Sequence, residues 1–133
     1  MASYGLEDRL VRFGATTCQL GNRLPRTPLG QHVALQLARS STSTFANYGE
    51  VQSAESRRDF IHKLAICLKE LRESRRWGRL IAKKNWLGKN DQLAFILAEG
   101  EELIRIFNAS IQTAERNRLV RRKRANPGAT GSA

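Results

Sequence analysis

Apolar side chains return every three or four residues from near the start of this chain to about residue 120, a rhythm that points to long amphipathic helices. No stretch alternates apolar and polar residues as a half-buried strand does. Leu6, Leu10, Phe13, Thr17, Leu20 and Leu24 step by four and three through a first helix that Pro25 closes. Glu7 and Asp8 sit in its first turn, where the helix dipole favours acids. Thr27-Pro28 opens a second helix with a hydroxyl N-cap and a proline at the first helical position. Leu29, Val33 and Leu37 begin its buried stripe. The run Ser40 to Thr44 has poor helix propensity. The helix is nevertheless expected to continue through it, because Ser41, Thr44, Tyr48 and Val51 keep the count. Small hydroxyl side chains there suit a close helix crossing.

Ser56 followed by Asp59 resembles a capping box and starts a third helix after a turn short enough to force an antiparallel hairpin. Phe60, Leu64, Cys67, Leu68, Leu71, Gly78 and Ile81 carry its inner face to about Lys84. Gly88 is the expected C-cap and Asn90 the next N-cap. A fourth helix from Asp91 to about Val120 turns Leu93, Ile96, Leu97, Gly100, Leu103, Ile104, Phe107, Ile111 and Ala114 inward, with Phe95 and Ile106 widening that face. The fold class predicted is all-α, an antiparallel up-down-up-down four-helix bundle over residues 1–120. A tail, basic and then Gly/Ala/Ser-rich and disordered, is expected over 121–133.

A chain of 133 residues makes one domain. No apolar run approaches the roughly 20 residues of a spanning helix, and no basic-then-apolar leader opens the sequence, so the expected location is a bacterial-type cytoplasm with no membrane partner. Cys18 and Cys67 lack any CxxC spacing, which argues against a disulfide framework or zinc site and leaves buried free thiols as the reading. Twenty-three Lys and Arg against twelve Asp and Glu give +11, which favours polyanionic partners, nucleic acid first.

Two features concentrate that charge. Lys69, Arg72, Arg76, Arg79 and Lys83 fall at three-four spacing on the third helix, a stripe about 21 Å long. Only Glu70 and Glu73 accompany seven cations between residues 69 and 84, so pairing such as Lys69 with Glu73 does not neutralise it. The plain alternative is a solvated outer face. The second feature is Arg116, Arg118, Arg121, Arg122, Lys123 and Arg124, six cations with no acid after Glu115. Without them the chain still carries +5. In an antiparallel bundle Arg57 and Arg58 lie near this cluster, and such an end binds RNA or DNA through phosphates, or serves as a solubilising tail. No motif for base-specific readout is present.

Catalysis finds no support. His32 and His62 lack metal-ligand spacing, and Glu50, Glu55 and Asp59 crowd a turn where capping and pairing with Arg39, Arg57 or Lys63 is the simpler role. No cofactor is implied. The wide apolar face of the fourth helix, with Trp77 and Trp86, suits either an oligomer interface or a thicker monomer core.

The stretch Arg39-Ser40 and Ala46-Asn47-Tyr48-Gly49-Glu50-Val51-Gln52-Ser53-Ala54-Glu55-Ser56-Arg57-Arg58-Asp59-Phe60-Ile61-His62-Lys63-Leu64, followed by Leu68-Lys69-Glu70-Leu71-Arg72-Glu73, closely resembles the four-helix bundle proteins encoded in intervening sequences of bacterial 23S ribosomal RNA genes. Asn47, Glu50, Gln52, Glu55, Ser56, Asp59 and Lys63 are its signature positions, and the resemblance spans roughly residues 4 to 120. It implies a homopentameric ring without known catalysis. The same fold includes accessory proteins of diversity-generating retroelements, which would make nucleic acid and a reverse transcriptase the partners in a retroelement setting. Two positions depart from the family pattern: Phe45 is bulkier than expected, and Arg76 precedes Trp77 where an aromatic is usual. The leading expectation is a non-enzymatic, homo-oligomeric RNA- or DNA-binding bundle; the alternative is a structural or protein-protein adaptor.

Overall fold

The computed structural model describes residues 5–129. Met1 to Tyr4, and residues 130–133 of the expected disordered tail, lie outside the described residues. The described chain forms α1 (Leu6–Gly21), α2 (Pro28–Val51), α3 (Arg57–Lys84) and α4 (Asp91–Ala125), then a single 3-10 turn over Pro127–Ala129, with no strand among the described residues. The helix starts follow local chemistry. Thr27 Oγ1 accepts from the Gly30 amide at 3.1 Å, Ser56 Oγ from the Asp59 amide at 3.0 Å, and Asn90 Oδ1 from the Leu93 amide at 3.0 Å. Each satisfies an amide the helix leaves unpaired.

One apolar core runs between the helices, built on Leu10, Phe13, Leu20, Val33, Leu37, Leu71, Ile81, Ile96, Leu103 and Phe107, all with no solvent exposure. The hydroxyl run is helical throughout, and its Ser40, Ser41 and Thr44 form a polar layer inside that core with Thr17 and Ser74. Thr17 and Ser41 share a hydrogen bond across α1 and α2. Ser40 Oγ meets Ser74 Oγ of α3 at 2.8 Å. Thr17 donates to the Gly14 carbonyl, and of Ser40 and Ser74 one donates to the other while the second donates to a carbonyl of its own helix, Leu37 or Glu70. Buried hydroxyls are tolerated because each is bonded, and their small size lets the backbones approach. The bulk of Phe45 is absorbed within the chain: a Cβ on Gly14 would lie 3.1 Å from its ring.

Several expectations are corrected. α1 ends at Gly21 rather than at Leu24, which tucks back into the core from the turn at 3% exposure. Leu29 is 49% exposed, and Gly30 takes the inward position. The residue capping α3 is Asn85, left-handed at φ 53°, while Gly88, at φ 59°, belongs to the following loop. α4 runs on to Ala125, past the end expected near Val120, so the basic stretch after residue 120 is helical. Cys18 is exposed; only Cys67 is buried, and desolvation pushes its thiol up to about 11. The wide face of α4 is largely covered, since Phe95, Leu97, Ile104 and Ile111 pack against the core with Trp77 and Trp86. Among the described residues the large apolar side chains left exposed are Val11, Leu29, Leu35, Leu119 and Val120.

Candidate nucleic-acid interface

The α3 stripe lies open to solvent. Lys69, Arg72, Arg76, Arg79 and Lys83 are all exposed, and none makes an ion pair or hydrogen bond among the described residues. Its two acids turn away to α2. The Arg39 guanidinium bonds the Glu73 carboxylate and stands 3.7 Å from Glu70 Oε1. Trp77 Nε1 donates to Glu73 at 3.2 Å. The pairing of Lys69 with Glu73 that the spacing suggested is therefore replaced by a contact between helices. Arg76, Arg79 and Lys83 border an open groove of about 670 Å³ whose floor is Leu80, Ala82 and Leu97.

Burial pushes the Glu73 carboxyl up, but the bonds from Arg39 and Trp77, together with the nearby charges of Arg39 and Arg76, outweigh it and hold the group below its ordinary value of 4.5. A carboxylate with a lowered folded-state pKa stabilises the fold above its unfolded value, and that contribution fades as pH falls through the folded value. Glu73→Gln should therefore lower the melting temperature more at about pH 7 than at about pH 3. The loss at neutral pH should be small, because solvent screens this partly exposed pair. Melting curves of both proteins at the two pH values check this; a constant gap would refute it.

The second cluster sits at the far end of α4. Arg116, Arg121, Arg122, Lys123 and Arg124 are exposed and Arg118 is half-buried, with no ion pair among them. Arg58, Ile61, His62 and Ala65 of α3 line a groove of about 570 Å³ with Glu115 and Arg118 of α4. Arg57 and Phe60 line a neighbouring one with Thr113, Ala114 and Asn117. The start of α3 thus meets residues 109–118 of α4, and the Arg57 guanidinium also lies over the Phe60 ring at 5.9 Å. Cations at a helix C-terminus also oppose the dipole, which helps hold this end helical.

Some of the signature residues of the α2–α3 turn bond one another locally. Asp59 Oδ2 accepts from the Glu55 amide at 3.2 Å and pairs with Lys63 Nζ at 3.1 Å. The Lys63 bond, then the Glu55 amide, hold the Asp59 carboxyl below its ordinary value. Ser56 caps α3 and Gln52 ends α2, while Asn47 and Glu50 make no side-chain bond. Neither Glu50 nor Glu55 pairs with Arg39 or Arg57. Sequence reading missed the pairs linking distant helices. Arg9 grips Glu99 through Nε at 2.9 Å and Nη2 at 2.7 Å. Arg75 reaches Glu101 at 3.4 Å. Arg12 lies 4.7 Å over the Phe95 ring. Among the described residues no group of three His, Cys, Asp or Glu side chains is placed to hold a metal, and no helix is long and apolar enough to cross a membrane.

A family model described as 23S rRNA-intervening sequence protein matches residues 11–109. Among solved structures, the chain is similar to a protein of unknown function from the S23 ribosomal protein family of Bacteroides thetaiotaomicron, with 29% identity and a TM-score of 0.72 over 80% of this chain and 98% of that one. No curated protein matches.

Proposed function

We propose that this chain, which belongs to the 23S rRNA-intervening sequence protein family, acts without catalysis as an oligomeric bundle in the cytoplasm, binding RNA or DNA through phosphate contacts. One observation carries the reading: five cations stand exposed in a row on α3 while the two acids beside them are drawn off by Arg39. Unpaired cations on a rigid helix are pre-positioned for phosphates and need little reorganisation to meet them. Within this reading neighbouring helices run antiparallel, up-down-up-down, which the contacts of Gly14 with Phe45 and Gly21 with Ala34 support, as do those of Arg9 with Glu99 and Gln19 with Gln92. A homopentamer would repeat the row around a ring and multiply weak contacts by avidity.

The competing reading, a structural or adaptor oligomer without nucleic acid, is favoured by Leu35 at 65% exposure and Leu29 at 49% on α2. Salt dependence separates the two. Affinity for a structured RNA should fall steeply with added salt, each phosphate contact contributing about 0.9 to the slope of log K against log salt. Ending the chain after Glu115 removes six cations while sparing every buried core residue, so it should fold and lose both affinity and slope. Undetectable binding of RNA and DNA at about 50 mM salt would decide for the adaptor.

A further inference from the structure

We infer that the nucleic acid taken by this surface is a double helix lying lengthwise along α3, not a single strand; the inference rests on the nucleic-acid reading above. The two basic clusters join into one line. Arg58, His62, Ala65, Lys69, Arg72, Arg76, Arg79 and Lys83 step by four and three without a break, and all eight are exposed. At 1.5 Å per residue the line is about 37 Å long, close to the roughly 34–36 Å of one turn of B-form DNA. α4 flanks it at both ends, through Leu97 beside Arg76 and Lys83, and through Arg118 beside Arg58. Past Arg118 the remaining cations of α4 continue the charge. Of the nearby acids, Glu101 is held by Arg75 and Arg105, and Glu115 lines the groove at the Arg58 end.

Among the described residues the line offers cations but no stacking platform. Proteins that hold single strands without sequence preference stack the bases on aromatic faces. The aromatic rings near this line are half-buried and engaged: Trp77 bonds Glu73 with His32 edge-on at 5.8 Å, Phe60 lies under Arg57, and Trp86 under Lys84. A surface that meets phosphates alone favours the form that keeps its bases inside and presents phosphates on a stiff rod. A single strand would have to be straightened, at an entropic cost that no base contact offsets.

The test compares labelled RNA duplex, DNA duplex and an unstructured uridine strand, each about one turn in length, by fluorescence anisotropy with the full chain. Both duplexes, or one of them, should bind about tenfold tighter than the strand; the two duplex arms tell which source is preferred. Ala65→Lys, which fills the one uncharged, non-titrating gap in the line, should tighten duplex binding and steepen its salt slope by about one. A strand that binds as well as the duplexes, or an unchanged slope in the Ala65→Lys protein, overturns this inference and leaves the nucleic-acid reading standing. Failure of all three ligands at low salt overturns both.

Discussion

Gly30→Ala is expected to lower the melting temperature by about 6–12 °C, although alanine is the better helix former by roughly 1 kcal/mol. The cause is the turn that precedes α2. Leu24 is pulled into the core from just beyond α1, and the next residue, Pro25, is laid directly over the first turn of α2. A Cβ at position 30 would stand 2.1 Å from the Pro25 carbonyl oxygen and 2.9 Å from its carbon. Those are backbone atoms, so relief requires the whole turn to move. Moving it would cost the bond from Gln31 Nε2 to the Pro25 oxygen and disturb the Thr27 cap. Overpacking of this kind typically costs about 1–3 kcal/mol, and the disrupted cap about 1 more, against the small gain in propensity. Gly49, in the same helix, provides the control, because a Cβ there would meet nothing within 4 Å. Gly49→Ala should raise the melting temperature slightly, by about 0.5–1 kcal/mol of stability. Circular dichroism melts of the three proteins at equal chain concentration test the pair of signs; a Gly30→Ala protein that melts at or above the parent would show that the turn does not rest on this contact.

Periodicity exposed the helices because it is the same quantity that burial selects. Reading through Ser40 to Thr44 succeeded for that reason: propensity argued for a loop, yet Ser41 and Thr44 held the three-four count, and the count reflects a crossing that only small side chains allow. The same rule misplaced Leu29. Steps of four advance 40° around a helix, so two in succession set Leu29 about 80° away from Leu37. Three residues before Val33 lies Gly30, which is buried but carries no apolar side chain to announce itself. Helix ends were harder still. Leu24 keeps the rhythm although its backbone has already left the helix, and the last turns of α4 have nothing to count, since Ala114 is the last buried residue. The basic rows on α3 and α4 were legible as residues, but whether carboxylates on other helices held them was not. Whether Glu73 neutralised the stripe depended on Arg39, 34 residues away on another helix, and no local pattern carries that information.

Converting Arg72, Arg76 and Arg79 together to glutamine should weaken RNA binding by about 500-fold at roughly 0.1 M salt. Removing one phosphate-binding cation lowers the salt exponent by about 0.9, which at that concentration is close to an eightfold factor relative to 1 M, and three such factors multiply to about 3.7 kcal/mol. The substitution keeps long side chains of good helix propensity, and none of the three arginines bonds another part of the protein, so the fold should be unchanged. Net charge alone predicts a different outcome. Arg23, Arg26 and Lys89 are equally exposed and lie outside the α3 line, in the loops that follow α1 and α3. A second triple variant, at those three positions, reaches the same formal charge of +8. If position along α3 is what matters, that protein should bind within a few-fold of the parent, with nearly its full salt slope, while the slope of the α3 variant falls by close to three units. Equal losses in the two proteins would mean that the chain attracts polyanions by its overall charge, and the ordered row on α3 would then be no more than the solvated side of a helix.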